Sequence, residues 1–239
     1  MVASRIRTGL LTALAVVLLA GCSDGDSDES STESLPDADT LLTEAAQSVA
    51  DIDSTHVSLE TSGDVAGLQV RNLDGDLRRD DDGIEAKGSG KMQEMGQLVE
   101  VEFVLTGDTL YLKGPTGDFQ ELPSSVSSAM YDPSQLLQQD TGIAEVLNNV
   151  HGAETVDRGQ VHDNPTFRVT GTVPGEKVGE LLPGVDSKAD VTFWLTEDGG
   201  HRPIKAAVSF PDAADQDEPG EVTVTLSDVN EPVTVTPPA

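Results

Sequence analysis

The stretch "VEVEFVLTGDTLYLK", Val99 to Lys113, decides the fold. Val99, Val101, Phe103 and Leu105 alternate with Glu100, Glu102 and Val104. That is the period-two pattern of a strand with one apolar and one polar face. Thr106-Gly107-Asp108 supplies a turn, and Leu110 and Leu112 then point one way with Tyr111 between them. Upstream, Val57, Leu59 and Thr61 alternate with His56, Ser58 and Glu60. Asp80-Asp81-Asp82-Gly83 and Pro115-Thr116-Gly117-Asp118 punctuate the same region. The pattern predicts an antiparallel meander across residues 55–122, with one apolar face and one acidic, solvated face.

Outward from the meander the period changes. Leu41, Leu42, Ala45, Ala46, Val49 and Ile52 recur at spacings of three and four, which predicts a helix from Pro36, near N1, to about Asp53. Downstream, Asp132-Pro133-Ser134-Gln135 has the form of a capping box ahead of Leu136 and Leu137. Gly142 interrupts this stripe and Ile143, Val146, Leu147 and Val150 resume it, so two short helices or one kinked helix are expected. Strands are expected again over 152–161, 166–173, 189–196, 204–210 and 221–229. Pro174 to Leu182 reads as a short helix stopped by Pro183-Gly184. The proline-rich end, residues 231–239, is expected to fray, and no convincing internal repeat occurs.

The N-terminal segment has a different character. Arg5 and Arg7 precede an apolar run from Gly9 to Ala20, the order of a secretory signal. The run is short of the roughly 20 residues that span a bilayer. It closes on Leu19-Ala20-Gly21-Cys22, which resembles the bacterial lipobox, and Cys22 is the chain's only cysteine. Residues 1–21 are therefore expected to be a signal peptide, with Cys22 as the acylated N-terminus that anchors the mature protein to the plasma membrane. With that thiol consumed, no disulfide can form. Residues 22–35 are rich in Asp and Ser and read as a flexible acidic tether. Asp24, Asp26 and Asp28 suggest a calcium loop only superficially, because the twelfth position is Leu35, where a bidentate Glu is required.

The full chain has 14 basic and 43 acidic residues. Loss of Arg5 and Arg7 leaves 12 against 43, a net charge of −31. Such a surface repels nucleic acid and gains nothing from anionic head groups. Patterns for catalysis are lacking: there is no Gly-x-Ser-x-Gly elbow, no phosphate-binding glycine loop and no free thiol in the mature chain. His56, His151, His162 and His201 are scattered without metal-ligand spacing. No enzyme activity, catalytic residue, metal or cofactor is expected. Five Phe, two Tyr and one Trp are few for an aromatic sugar platform. Periodicity alone does not distinguish a filled core from a cavity lined by Val, Leu and Ile.

A resemblance bears on that choice. Gly107-Asp108-Thr109-Leu110-Tyr111, Thr116-Gly117-Asp118-Phe119, Tyr131-Asp132-Pro133-Ser134-Gln135-Leu136-Leu137 and Gly142-Ile143 occur in an order and spacing similar to the LppX/LprAFG family of actinobacterial lipoproteins. The similarity in layout covers residues 36–230, taken as one domain. It implies an α+β fold: a highly curved antiparallel β-sheet, a half-barrel like LolA and LolB, with α-helices on its concave face enclosing an apolar cavity. It also implies a lipid-anchored envelope protein that binds multi-acyl lipids or glycolipids and moves them toward the outer envelope, in some cases beside a multi-pass efflux transporter. On the strand register above, the expected lining is Val99, Val101, Phe103, Leu105, Leu110, Leu112, Val191 and Phe193 from the sheet. Leu136, Leu137, Ile143, Val146 and Leu147 form the expected helical wall. The acidity of the body favours a neutral head group. The competing reading is a structural or adhesion lipoprotein with a filled core and no ligand.

Overall fold

The structure is a computed structural model that describes residues 34–81, 83–94, 96–115, 117–123, 133–138, 141–211 and 219–238. The expected signal segment, Cys22, nearly all of the tether and the Tyr131-Asp132 pair lie outside the described residues.

Helix α1 spans Ala38–Ser48 and passes into a single 3-10 turn at Val49–Asp51. Its cap is Asp37, not the preceding Pro36: Asp37 Oδ1 accepts from the Thr40 N–H at 2.9 Å and from the Thr40 hydroxyl at 2.8 Å. These hydrogen bonds, the backbone one first, hold the Asp37 carboxyl below the usual carboxylate range. Leu41, Leu42, Ala45, Ala46, Val49 and Ile52 are all buried, as their spacing requires.

Six strands follow: β1 (Ser54–Ser62), β2 (Val70–Asp80), β3 (Gly83–Glu94), β4 (Gln97–Thr106), β5 (Thr109–Lys113) and β6 (Phe119–Pro123). A 3-10 turn at Pro133–Leu137 and helix α2 (Ile143–Asn148) resolve the helical interlude into two short pieces. Gly142 caps α2, and its N–H donates to the Gln138 carbonyl at 2.9 Å. Strands β7 (His151–Val161) and β8 (Asn164–Val173), helix α3 (Gly175–Leu181), and strands β9 (Ala189–Thr196), β10 (Pro203–Phe210) and β11 (Gly220–Ser227) complete the described chain.

All eleven strands form one antiparallel sheet in the order β6-β5-β4-β3-β2-β1-β11-β10-β9-β8-β7. It is open, with β6 and β7 as its edges. Two meanders, β1–β6 and β7–β11, join where β1 pairs with β11, Val57 opposite Leu226 and Leu59 opposite Val224. The buried residues of that face, together with those of α1, α2 and α3, make one apolar cluster. The opposite face carries the charges: Asp76 with His56 and Lys87, Glu102 with Lys113, and Glu85 with Arg78.

Beyond β11 the chain does not simply fray. Asn230 takes a left-handed conformation (φ 62°), its Oδ1 accepts from the Asp53 N–H at 2.8 Å, and its Nδ2 donates to the Asp51 carbonyl at 3.0 Å. Ser54 Oγ donates to the Glu231 carbonyl, and Val235 is buried. The C-terminal segment therefore ties down the entry to β1.

Candidate functional site

One face of the sheet and the two short helices bound an apolar cavity of about 50 Å³. Its floor is a grid of six side chains on three strands. Val191, Val208 and Val222 form one row across β9, β10 and β11, and Phe193, Ala206 and Val224 form the next. Its roof is Leu136 from the 3-10 turn, Ile143 and Val146 from α2, and Val178, Leu181 and Leu182 from α3 and its end. All twelve side chains are hydrocarbon. Such a space stays dry even where its volume would admit water, because nothing in it can hydrogen-bond.

The floor rows continue across the molecule. Val224 lies opposite Leu59, Leu59 opposite Leu73, Leu73 opposite Gly90 and Gly90 opposite Val101. At the far end of this row is a larger groove of about 470 Å³, lined by Met92, Val99, Val101, Leu112, Pro115 and Gln120 among others. Gln69 and Glu94 give it polar rims. Between the two spaces the face is filled. Leu59 and Leu73 are buried, and Gly75 and Gly88 bring their backbones together. A Cβ on Gly88 would stand 2.3 Å from the Asp74 carbonyl and 3.0 Å from the Phe103 ring.

The thirteen lining residues read from the sequence thus divide into three groups. Leu136, Ile143, Val146, Val191 and Phe193 meet at the apolar cavity. Val99, Val101 and Leu112 lie at the groove. Phe103, Leu105, Leu110, Leu137 and Leu147 are buried in the apolar cluster and line neither space. The sequence reading did not identify Val178, Leu181, Leu182, Ala206, Val208, Val222 and Val224, although each lies in an element whose type it predicted.

Polar contacts over the cavity are few and local. Lys177 Nζ on α3 reaches Glu145 Oε1 on α2 at 2.8 Å and Glu180 Oε1 at 3.1 Å. Asn149 Nδ2 donates to Glu145 Oε1 at 3.0 Å. The Lys177 hydrogen bond holds the Glu145 carboxyl below its usual range, and the Glu145 bond raises Lys177 in turn. Arg79 bonds the carbonyls of Leu137 and Ile52, which fixes the 3-10 turn to the end of α1. No cluster of three or more His, Cys, Asp or Glu suited to a metal ion occurs among the described residues, and none of their helices is long and apolar enough to cross a membrane. This arrangement can hold hydrocarbon; it presents no polar group to a ligand inside.

Comparison with known proteins places this geometry among related chains. The family model described as LppX_LprAFG lipoprotein matches residues 37–235. The lipoarabinomannan carrier protein LprG of Mycolicibacterium hassiacum is 35% identical, with 97% of each chain covered. The protein of the same name from Mycobacterium tuberculosis is 30% identical over 98% of this chain and 95% of its own. Among solved structures, LprF from Mycobacterium bovis superposes with a TM-score of 0.72 at 23% identity, covering 86% of this chain and 98% of that one. The lipoprotein LppX from Mycobacterium tuberculosis gives 0.61 at 26% identity, covering 82% and 98%.

Proposed function

Since the chain belongs to the LppX_LprAFG lipoprotein family, we propose that it is an extracytoplasmic carrier of acylated lipids or glycolipids. The observation that supports this reading most is the all-hydrocarbon cavity between α2, α3 and strands β9–β11, in a chain whose relatives are named lipoarabinomannan carriers. In this reading the sheet is a half-barrel of the LolA/LolB kind with the helices on its concave side. Residues 1–21 are removed, acylated Cys22 holds the protein at the plasma membrane, and residues 22–35 are its tether. The ligand passes toward the outer envelope, in concert with a multi-pass transporter.

The physics is a transfer between two apolar media. Each methylene leaving a bilayer costs about 0.8 kcal/mol if it meets water. A lining of Val, Leu, Ile and Phe offsets most of that cost, and the head group stays outside in solvent. An empty cavity large enough for acyl chains would forfeit packing across its whole lining. A roof that lies close over the floor, leaving about 50 Å³, keeps those contacts. That volume is below the roughly 300–1,000 Å³ of ordinary ligand sites, so the ligand must raise the roof as it binds.

The test is lipid occupancy of protein purified from a mycolic-acid-bearing host, read by mass spectrometry. Val208→Trp places an indole in the floor and is expected to lower the bound lipid severalfold while the thermal transition stays cooperative. Unchanged lipid content in Val208→Trp and in a second floor variant, Val222→Trp, counts against the cavity. The small volume of the empty cavity favours one other reading, a structural lipoprotein with a filled core. Absence of any co-purified lipid from the unaltered protein supports it.

A further inference from the structure

The cavity has three kinds of wall, and they differ in how they can part. The floor is hydrogen-bonded sheet, which does not open without breaking ladders of backbone bonds. The start of helix α3 packs on the loop that follows the helix, and that loop packs backbone on backbone against the β1–β2 connection. A Cβ on Gly175 would stand 2.0 Å from the Asp186 carbonyl, and one on Gly67 1.9 Å from the Gly184 carbonyl. Helix α2 belongs to a different body. Gly142 packs on the carbonyls of Gln138 and Leu136, the 3-10 turn is held by Arg79 to the end of α1, and the buried face of α2 shares the apolar cluster with α1.

Across the roof, the polar link between these two bodies is the Lys177–Glu145 pair. Its side chains are only 22% and 27% exposed, yet each keeps a partner if the pair parts. Lys177 retains Glu180, and Glu145 retains the Asn149 amide. Opening here strands no charge, so the link is cheap to break, unlike a buried pair that loses one member. Directly beneath it, Val146 and Val178 face the cavity.

We infer that the α2–α3 seam is the portal through which acyl chains pass, with Lys177–Glu145 as its latch. This rests on the carrier reading above and adds the route and the residues that set its rate. The latch is not part of the cavity lining, so it governs how fast the ligand passes rather than how tightly it is held.

The experiment follows uptake of pyrene-labelled palmitic acid from vesicles by stopped-flow fluorescence, using the full-length chain with Cys22→Ser. Glu145→Gln is expected to raise both loading and release rates about two- to fivefold with little change in affinity, the range a partly exposed ion pair that strands no charge can supply. The exchange Glu145→Lys with Lys177→Glu is expected to restore the slower rates. Arg158→Gln, which removes a surface pair with Glu197 on a distant part of the sheet, is expected to leave them unchanged. Joining Glu145→Cys to Lys177→Cys with a bis-methanethiosulfonate linker, which forms a disulfide to each thiol and releases methanesulfinate, is expected to stop loading until reductant is added. Loading at the unaltered rate in the linked protein overturns the portal and leaves the carrier reading standing. No uptake by the Cys22→Ser parent overturns both.

Discussion

Asn230 shows how one side chain can organise a junction. Its left-handed backbone suits Asn better than most residues, and its amide bridges Asp51 and Asp53 just before β1 begins. Asn230→Ala removes both hydrogen bonds and keeps the strained φ, so a loss of about 2 kcal/mol is expected by urea unfolding. Asn230→Gly, which relieves the strain, should cost less. His56 is a second residue with a readable consequence. Partial burial opposes its charge, but hydrogen bonds to Asp76 at 2.9 Å and Asp74 at 3.2 Å, with the charges of both, outweigh that and raise its pKa. A raised histidine stabilises the fold fully below its ordinary value near 6.5 and loses that contribution as pH rises through the folded value. Stability should therefore decline as pH climbs through the window above about 6.5. His56→Gln should flatten that segment of the melting-temperature profile, and an identical slope in the variant would falsify the assignment.

At the scale of elements, the sequence was most informative where alternation and turn residues coincide. β4 and β5 follow directly from Val99 to Lys113, and the Thr106-Gly107-Asp108 turn fixes their register. Helix α3 was legible from its flanking prolines. What could not be read was adjacency. Ala206 and Val208 alternate clearly enough to mark a strand, but that they lie between Val191 with Phe193 and Val222 with Val224 depends on which strands pair. The pairing of β1 with β11 depends on segments at opposite ends of the domain, and no local pattern encodes it. The floor on β10 and β11 was therefore not legible, while Leu105 and Leu110, on strands with an equally strong pattern, lie in the apolar cluster away from the cavity. Leu59 sits at the junction, fully buried between Val224 and Leu73. Leu59→Ala should cost about 2–5 kcal/mol, and it should do so in a single transition that carries both meanders down together. Two separated transitions would show that the two halves of the sheet are independent.

For the whole molecule, the proposed carriage of acyl chains puts the ligand's effect on the helices that roof the cavity. Loading should slow amide hydrogen exchange in α2 and α3 and raise the melting temperature, since a ligand bound only by the folded state stabilises it in proportion to its occupancy. Protection appearing instead around Met92, Val99 and Val101 would move the ligand to the larger groove. The heavy negative charge has no part in this binding, because the space it would act on is lined by hydrocarbon alone. Affinity should accordingly respond weakly to salt, whereas the loading rate, set by the Lys177–Glu145 pair, should rise with it.

The order of strands has an implication for biogenesis. His56 is paired with Ser227, so the middle of the sheet is the last part that a polypeptide delivered from its N-terminus can zip. Until the final strand arrives, the first meander carries a bare edge at β1, and the floor under the roof helices is incomplete. Such remote pairing makes for slow maturation, and it leaves the nascent chain without a finished apolar floor until its last strand has been delivered.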